Sequence, residues 1–165
     1  MYYCFGCGAG GNVFTFMMQY ENFTFGEAME ALADRAGVAL PKQEYSAAQK
    51  READKKQRLL EINKEAARYF YILLRNDRGK HALAYFKKRE LSEETMNKFG
   101  LGYSDQYSDD LYRYLRSKGY EDEILKESGL VTIDERRGGY DKFWNRAMFP
   151  IMDVHNKGIG FGGRV

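Results

Sequence analysis

The chain is poor in cysteine, proline and histidine, with two of each among 165 residues. Two cysteines separated by two residues cannot form the disulfide framework of a small secreted protein, so we expect a reduced, cytoplasmic setting. No apolar run in the sequence approaches the roughly 18 residues of a membrane span, and the N-terminus has no secretory signal pattern. These absences predict a protein without a membrane partner.

The net charge is also small, because 26 basic residues nearly balance 24 acidic ones to give +2. Residues 42–90 are the basic part, with fourteen Lys and Arg against seven acidic residues. A basic stretch attracts nucleic-acid phosphates. A solvated helix face with internal ion pairs has the same composition, so this stretch alone leaves both interpretations open.

Hydrophobic periodicity predicts a chain that is helical up to about residue 130 and β-structured after it. Residues 38–50 carry one proline and no period, which is typical of a linker. The predicted fold class is α+β: a partial zinc ribbon with two helices, then a mostly helical subdomain that leads into a small, truncated β-sheet. The expected helices lie at about 12–20, 24–36, 48–74, 80–89, 109–118 and 122–127, and a further helix is expected to begin at Ser92. A turn at 100–103 should lead into a short extended segment, and the expected strands lie at 130–133, 143–154 and 159–165.

Local signals support several of these helices. Thr24 with Glu27 three residues on is a capping-box pattern, and Ser92 is a predicted N-cap. Apolar residues at helical spacing predict one face of the first helix and a buried stripe of the helix at 48–74. The first set is Val13, Phe16, Met17 and Tyr20, and the second is Leu59, Ile62, Ala66, Tyr69 or Phe70, and Leu73.

Cys4 and Cys7 form a Cys-x-x-Cys turn, with Gly6 and Gly8 around the second thiol. This spacing lets two thiolates face one cation, but a tetrahedral zinc site needs four ligands. A pair of unligated thiols is the alternative, and a thioredoxin-like redox pair is disfavoured because no βαβ unit surrounds it. His81 and His155 lack ligand-like spacing to the pair, so we interpret both as ordinary histidines.

Two further patterns lie near the end of the sequence. The glycines at 158–163 superficially resemble a dinucleotide-binding loop, but that loop should open a helix; we expect them to allow close approach of another backbone or a nucleic-acid strand. Alternation along a strand would place Lys142, Trp144 and Arg146 on one face. Two cations around an aromatic ring suit phosphate contact and base stacking. An exposed strand face with no ligand would show the same residue pattern, so both interpretations stay open.

Several long motifs, all in register, resemble bacterial DnaG-type DNA primases along the whole chain. Residues 3–16 look like the second half of the zinc-binding domain, and residues 27–37 resemble the helix that closes it. Residues 140–151 and 159–164 resemble the opening of the RNA-polymerase domain. The resemblance implies three parts: residues 1–38 from a CHC2-type zinc-binding domain, a linker at 39–50, and residues 51–165 from the N-terminal subdomain of the polymerase domain.

The resemblance implies a DNA-directed RNA polymerase, a nucleotidyltransferase that makes short RNA primers on single-stranded DNA from nucleoside triphosphates during replication, together with the replicative helicase. It implies that Cys4 and Cys7 are the second ligand pair for Zn²⁺, after a Cys-x-x-His pair expected before Met1. Lys142, Arg146 and Arg164 would then bind nucleic acid. Trp144 occupies a position that is basic in some relatives, and Asp141 is expected to be structural.

No catalytic residue is expected in this chain. In the family, carboxylates of a Toprim core hold Mg²⁺ or Mn²⁺, and a C-terminal domain contacts the helicase; we expect both beyond Val165. The 165 residues alone are therefore predicted not to polymerise. The alternative is a self-contained, non-catalytic, zinc-dependent module that binds single-stranded nucleic acid.

Overall fold

A computed structural model describes residues 1–40, 47–134, 136–153 and 155–164, without the side chain of Gln49. The chain forms two compact units, Met1–Ser46 and Ala47–Val165. Helices and small antiparallel sheets are both present, which confirms the predicted α+β class. No helix in the described ranges is long and apolar enough to cross a membrane.

In the first unit, a short hairpin precedes two helices. Strands β1 (Tyr2–Tyr3) and β2 (Gly10–Gly11) pair antiparallel and enclose the cysteine turn. Helix α1 spans Val13–Tyr20 and helix α2 spans Phe25–Ala36. The predicted capping box of α2 is present, because the Thr24 hydroxyl accepts from the Glu27 N–H and the Glu27 carboxylate accepts from the Thr24 N–H. Capping of this kind satisfies backbone donors that the first helical turn leaves unpaired.

The first unit has little buried apolar surface. Ala28 on α2 is the one fully buried hydrophobic residue among the described part of this unit. Val13, Phe16 and Tyr20, which the sequence places on one apolar stripe of α1, are each more than two-fifths exposed. A unit of this size and exposure needs a further source of stability, such as a metal.

The second unit is built around one long helix, as the periodicity predicted. Helix α3 spans Ala47–Leu74 and buries Ile62, Ala66, Phe70 and Leu73 along the expected stripe. A 3₁₀ turn at Asp77–Gly79 follows it. The remaining helices are α4 (Lys80–Lys88), α5 (Glu93–Lys98), α6 (Asp110–Ser117) and α7 (Asp122–Glu127).

Two antiparallel sheets complete the second unit. Strands β4 (Val131–Asp134) and β5 (Gly138–Asp141) form a hairpin. Strands β3 (Gly102–Ser104), β6 (Arg146–Met152) and β7 (Gly158–Arg164) form a three-stranded sheet with β6 in the centre. Helix α3 packs on one face of this sheet, since a Cβ at Gly102 would lie 2.6 Å from the Cβ of Phe70. On the other face, Phe86 of α4 contacts Phe149 edge to face.

The β-region differs from the sequence prediction in two places. Strand β5 was not predicted, and the strand expected from residue 143 begins instead at Arg146. Residues 142–145 form a bend, with Asn145 in the left-handed region at φ 50°. The single-face alternation expected for Lys142, Trp144 and Arg146 was therefore wrong, because these residues do not share a strand.

Candidate metal site and nucleic-acid interface

The cysteine turn has the backbone of a metal-binding knuckle. The Cys4 N–H donates to the Ala9 carbonyl over 2.7 Å, and the Gly8 N–H donates to the Cys4 carbonyl over 2.9 Å. Gly8 takes the left-handed φ of 74°, which a residue with a Cβ rarely adopts. The glycine after the second thiol is thus explained by the turn itself.

Both thiols are exposed, and the turn favours the ionised form of Cys4. The backbone N–H groups of Cys7 and Gly6, with the Cys7 thiol, donate to the Cys4 sulfur and lower the pKa of its thiol. The thiolate is the form that binds zinc. This donor set fits two corners of a tetrahedral site, and no group of three or more His, Cys, Asp or Glu within the described ranges completes it.

The two histidines lie in other environments. His81 stands on α4 and contacts the Tyr103 ring edge to face, with ring centroids 4.6 Å apart. His155 lies in the turn between β6 and β7, where its N–H donates to Asp153. Both belong to the second unit, whereas Cys4 and Cys7 belong to the first.

The β6–β7 hairpin positions two of the three predicted nucleic-acid-binding cations. Arg146 begins β6, and Arg164 ends β7 opposite Ala147. Cross-strand partners point to the same face of a sheet and successive residues point to opposite faces. Arg146 and Arg164 therefore lie at the same end of the hairpin but project from opposite faces, so a ligand must pass around this end to meet both.

Gly163 makes room for Arg146. A Cβ at Gly163 would lie 2.8 Å from a ring carbon of Phe143 and 2.9 Å from Cδ of Arg146. The arginine stem and the phenylalanine ring thus cover the bare backbone of β7. At Gly163 it is side chains, and not another backbone or a nucleic-acid strand, that approach closely.

Lys142 and Arg164 are exposed, whereas Arg146 is partly buried. Its Nε is buried and has no hydrogen-bond partner among the described residues. Lys142, Arg146 and Arg164 form no ion pair with a carboxylate in the described part of the chain, whereas Arg78, Arg113 and Arg116 all do. Three cations near one hairpin end are thus available to an anion.

Lys142 lies in the bend between β5 and β6. Its N–H donates to the Leu130 carbonyl over 2.8 Å, which fixes the backbone while the side chain stays exposed. Trp144, two residues on, is 53% exposed. A fixed lysine, an exposed indole and Arg146 thus follow one another within five residues.

Asp141, immediately before this bend, is structural, as expected. Its carboxylate accepts the N–H groups of Leu111 and Tyr112 over 2.9 and 2.8 Å, and so caps the start of α6. Burial raises its pKa to about 7, against these two donors, which favour the charged form. The contact ties the candidate interface to the helical part of the unit.

A second polar cluster lies beside the bend and was missed by the sequence reasoning. Arg78 pairs with Asp105 and, over 2.8 Å, with Asp110, which also accepts from the Tyr69 hydroxyl. The Asn145 N–H donates to the Asp105 carbonyl over 2.7 Å. These residues are far apart in sequence, and no local motif links them.

Two family models match the chain. The one described as the N-terminal domain of the DNA primase catalytic core matches residues 69–165. The one described as a CHC2 zinc finger matches residues 1–48, which supports zinc binding by the first unit.

Similar proteins carry the same description. A DNA primase of Clostridium acetobutylicum is 43% identical over all of this chain and 27% of its own length. The zinc-binding and RNA-polymerase domains of Aquifex aeolicus primase are 28% identical, with a TM-score of 0.56, over 98% of this chain and 37% of that one. A DnaG primase catalytic domain bound to single-stranded DNA is 30% identical, with a TM-score of 0.62, over 68% and 36%. The chain spans about a quarter of the length of the curated relatives it matches.

Proposed function

Since this chain belongs to the family of N-terminal domains of the DNA primase catalytic core, we propose that it supplies template binding to primer synthesis at the replication fork. The matched family confirms the resemblance seen in the sequence. For the whole protein we propose DNA-directed synthesis of short RNA primers from nucleoside triphosphates, in the cytoplasm, with the replicative helicase as a partner. Primase relatives that match the whole chain do not favour the alternative of a non-catalytic binding module.

The unpaired cations at the end of the β6–β7 hairpin and in the bend before it carry this proposal. Lys142, Arg146 and Arg164 would hold backbone phosphates of the template strand, since arginine and lysine supply most phosphate contacts in such complexes. A solved relative at 30% identity is bound to single-stranded DNA, which supports this choice of ligand. Trp144 would add a stacking surface beside the phosphate contacts.

Zinc would have a structural role, and a second metal would serve catalysis in the intact enzyme. Cys4 and Cys7 would hold Zn²⁺, which supplies a structural crosslink to a unit with little buried core. Mg²⁺ or Mn²⁺ would serve nucleotidyl transfer in the intact enzyme. We assign no carboxylate of this chain to that role, because the acidic residues described above cap helices or pair with cations.

A binding titration tests the proposal. A labelled single-stranded oligonucleotide is titrated with the 165-residue chain between 50 and 200 mM salt, with fluorescence anisotropy as the readout. Each neutralised phosphate of a single strand contributes a slope of about −0.7 to log K against log salt. We expect a slope near −2 for three contacts; no measurable binding at the lowest salt would contradict the proposed function.

A further inference from the structure

A cavity of about 320 Å³ opens beside the candidate interface. It is lined by Arg78, His81, Tyr103, Asp105, Gln106 and Tyr107. This volume falls within the roughly 300–1,000 Å³ that is usual for small-ligand sites.

Hydrogen bonds of Asn145 connect the bend before β6 with the cavity lining. The Tyr103 hydroxyl donates to Oδ1 of Asn145 over 3.0 Å, and the Asn145 N–H donates to the Asp105 carbonyl. Asn145 stands between Trp144 and Arg146 in the sequence. Asn145 therefore links the candidate interface to two residues of the cavity lining.

Hydrogen-bond donors face the cavity without partners. Arg78 uses Nε and Nη2 for its two carboxylates, which leaves Nη1 unpaired within the described part of the chain. The imidazole nitrogens of His81 and the side-chain amide of Gln106 likewise make no hydrogen bond to a described residue. The lining thus offers the Arg78 Nη1, one imidazole N–H and the Gln106 side-chain N–H₂ as donors, which suit a ligand that carries acceptors.

The local charge selects against a phosphate. The single Arg78 cation is matched by two carboxylates, those of Asp105 and Asp110, so the lining has no positive excess for an anion. Tyr107 is 57% exposed, and its ring centroid lies 5.8 Å from the Arg78 guanidinium carbon. A neutral, planar ligand with an acceptor edge and a stacking face satisfies both features.

We propose that this cavity binds one unpaired nucleobase, with the Tyr107 ring as its stacking platform. The donors of Arg78, His81 and Gln106 face the acceptor edge of the base. The inference rests on the proposed function, because the base belongs to the strand whose phosphates the interface holds. Stacking on an aromatic side chain is a common way in which proteins hold single strands without reading their sequence.

The test uses the 165-residue chain and a single-stranded oligonucleotide, either intact or with one abasic position moved along it. We expect at least about a 5-fold loss of affinity at one abasic position. Tyr107→Leu should abolish that difference, and Tyr107→Phe should retain it. Tyr140→Leu is the matched control, because Tyr140 is 41% exposed but does not line the cavity. The salt slope should be the same for all variants, since no phosphate contact changes.

The outcomes separate this inference from the proposed function. A Tyr107→Leu variant that binds DNA with the wild-type affinity, or that keeps the abasic effect, overturns the nucleobase site and leaves phosphate binding intact. If free nucleoside triphosphate at an equal concentration displaces the oligonucleotide, the cavity binds a nucleotide and not a base of the template strand. This result would overturn the inference. A wild-type chain that binds no single strand overturns both proposals.

Discussion

At the scale of single residues, Asp141 combines a buried carboxylate with two backbone donors. It is 4% exposed and directly precedes the bend at 142–145. Its carboxylate accepts two N–H groups at the start of α6, and so holds the bend next to this helix. Burial disfavours the charged form, and the raised pKa of about 7 shows that this cost outweighs the two hydrogen bonds. Relative to the unfolded chain, the folded chain therefore favours the protonated form of Asp141.

The stability of the chain should depend on pH through this residue. Because the folded pKa lies above the unfolded value of about 3.9, the native state binds more protons between roughly pH 4 and 7. Asp141 should therefore lower the free energy of unfolding as pH rises through that window, by at most about 4 kcal/mol. Urea unfolding of wild type and Asp141→Asn from pH 4.5 to 8 measures this; the wild-type advantage should shrink with pH, and an advantage that grows would show a carboxylate held in its charged form.

At the scale of elements, the β6–β7 hairpin depends on one bare position. Gly163 lies under Arg146 and Phe143, whereas a Cβ at Gly160 on the same strand would meet nothing within 4 Å. Neither glycine has a positive φ, so the difference between them is one of space. The two positions form a matched pair within one strand.

Alanine at these two glycines should give opposite results. Gly163→Ala should destabilise the chain by about 1–3 kcal/mol, because Arg146 and the Phe143 ring must move. Gly160→Ala should change stability by less than about 0.5 kcal/mol, because the added methyl group meets no other atom within 4 Å. Thermal unfolding of both variants provides the comparison; equal effects would mean that Arg146 does not pack against β7.

The elements that sequence could predict are those fixed by local signals. Local sequence patterns correctly predicted three features: the capping box at Thr24 and Glu27, the buried stripe of α3 and the N-cap at Ser92. The sequence of strand β5 has no alternation of apolar and polar residues. Gly139 is buried because the Tyr112 ring packs on it, and this contact joins segments that are distant in the sequence. The same limit explains why the pairing of Arg78 with Asp105 and the split into two sheets could not be predicted.

At the scale of the whole molecule, each unit gains its stability differently. The second unit has two apolar clusters that span its helices and both sheets. The first unit has one buried alanine within its described residues and a cysteine turn shaped for a metal. Zinc should thus matter to one unit and not to the other.

Removal of metal should show this asymmetry. In a protein that holds Zn²⁺ through Cys4, Cys7 and a second ligand pair, a chelator such as EDTA should reduce the helical signal from α1 and α2, because the first unit has little buried core. The free energy of unfolding of the second unit should change by less than about 0.5 kcal/mol, because that unit has its own apolar clusters. Cys4→Ser should weaken zinc binding measured by competition with a chromophoric chelator. His81→Ala and His155→Ala are the controls; a loss of zinc in either would contradict their interpretation as ordinary histidines.

If cations at the end of the β6–β7 hairpin and in the bend before it hold the template strand, single-strand binding must depend on salt through these side chains. Lys142→Gln and Arg164→Gln should each reduce the magnitude of the slope of log K against log salt by about 0.7–1. Both side chains are exposed, so these changes leave the fold intact. Lys126→Gln, on the exposed surface of α7, is the control and should leave the slope unchanged. Wild-type slopes in both the Lys142 and the Arg164 variant would show that these side chains contact no phosphate of the strand.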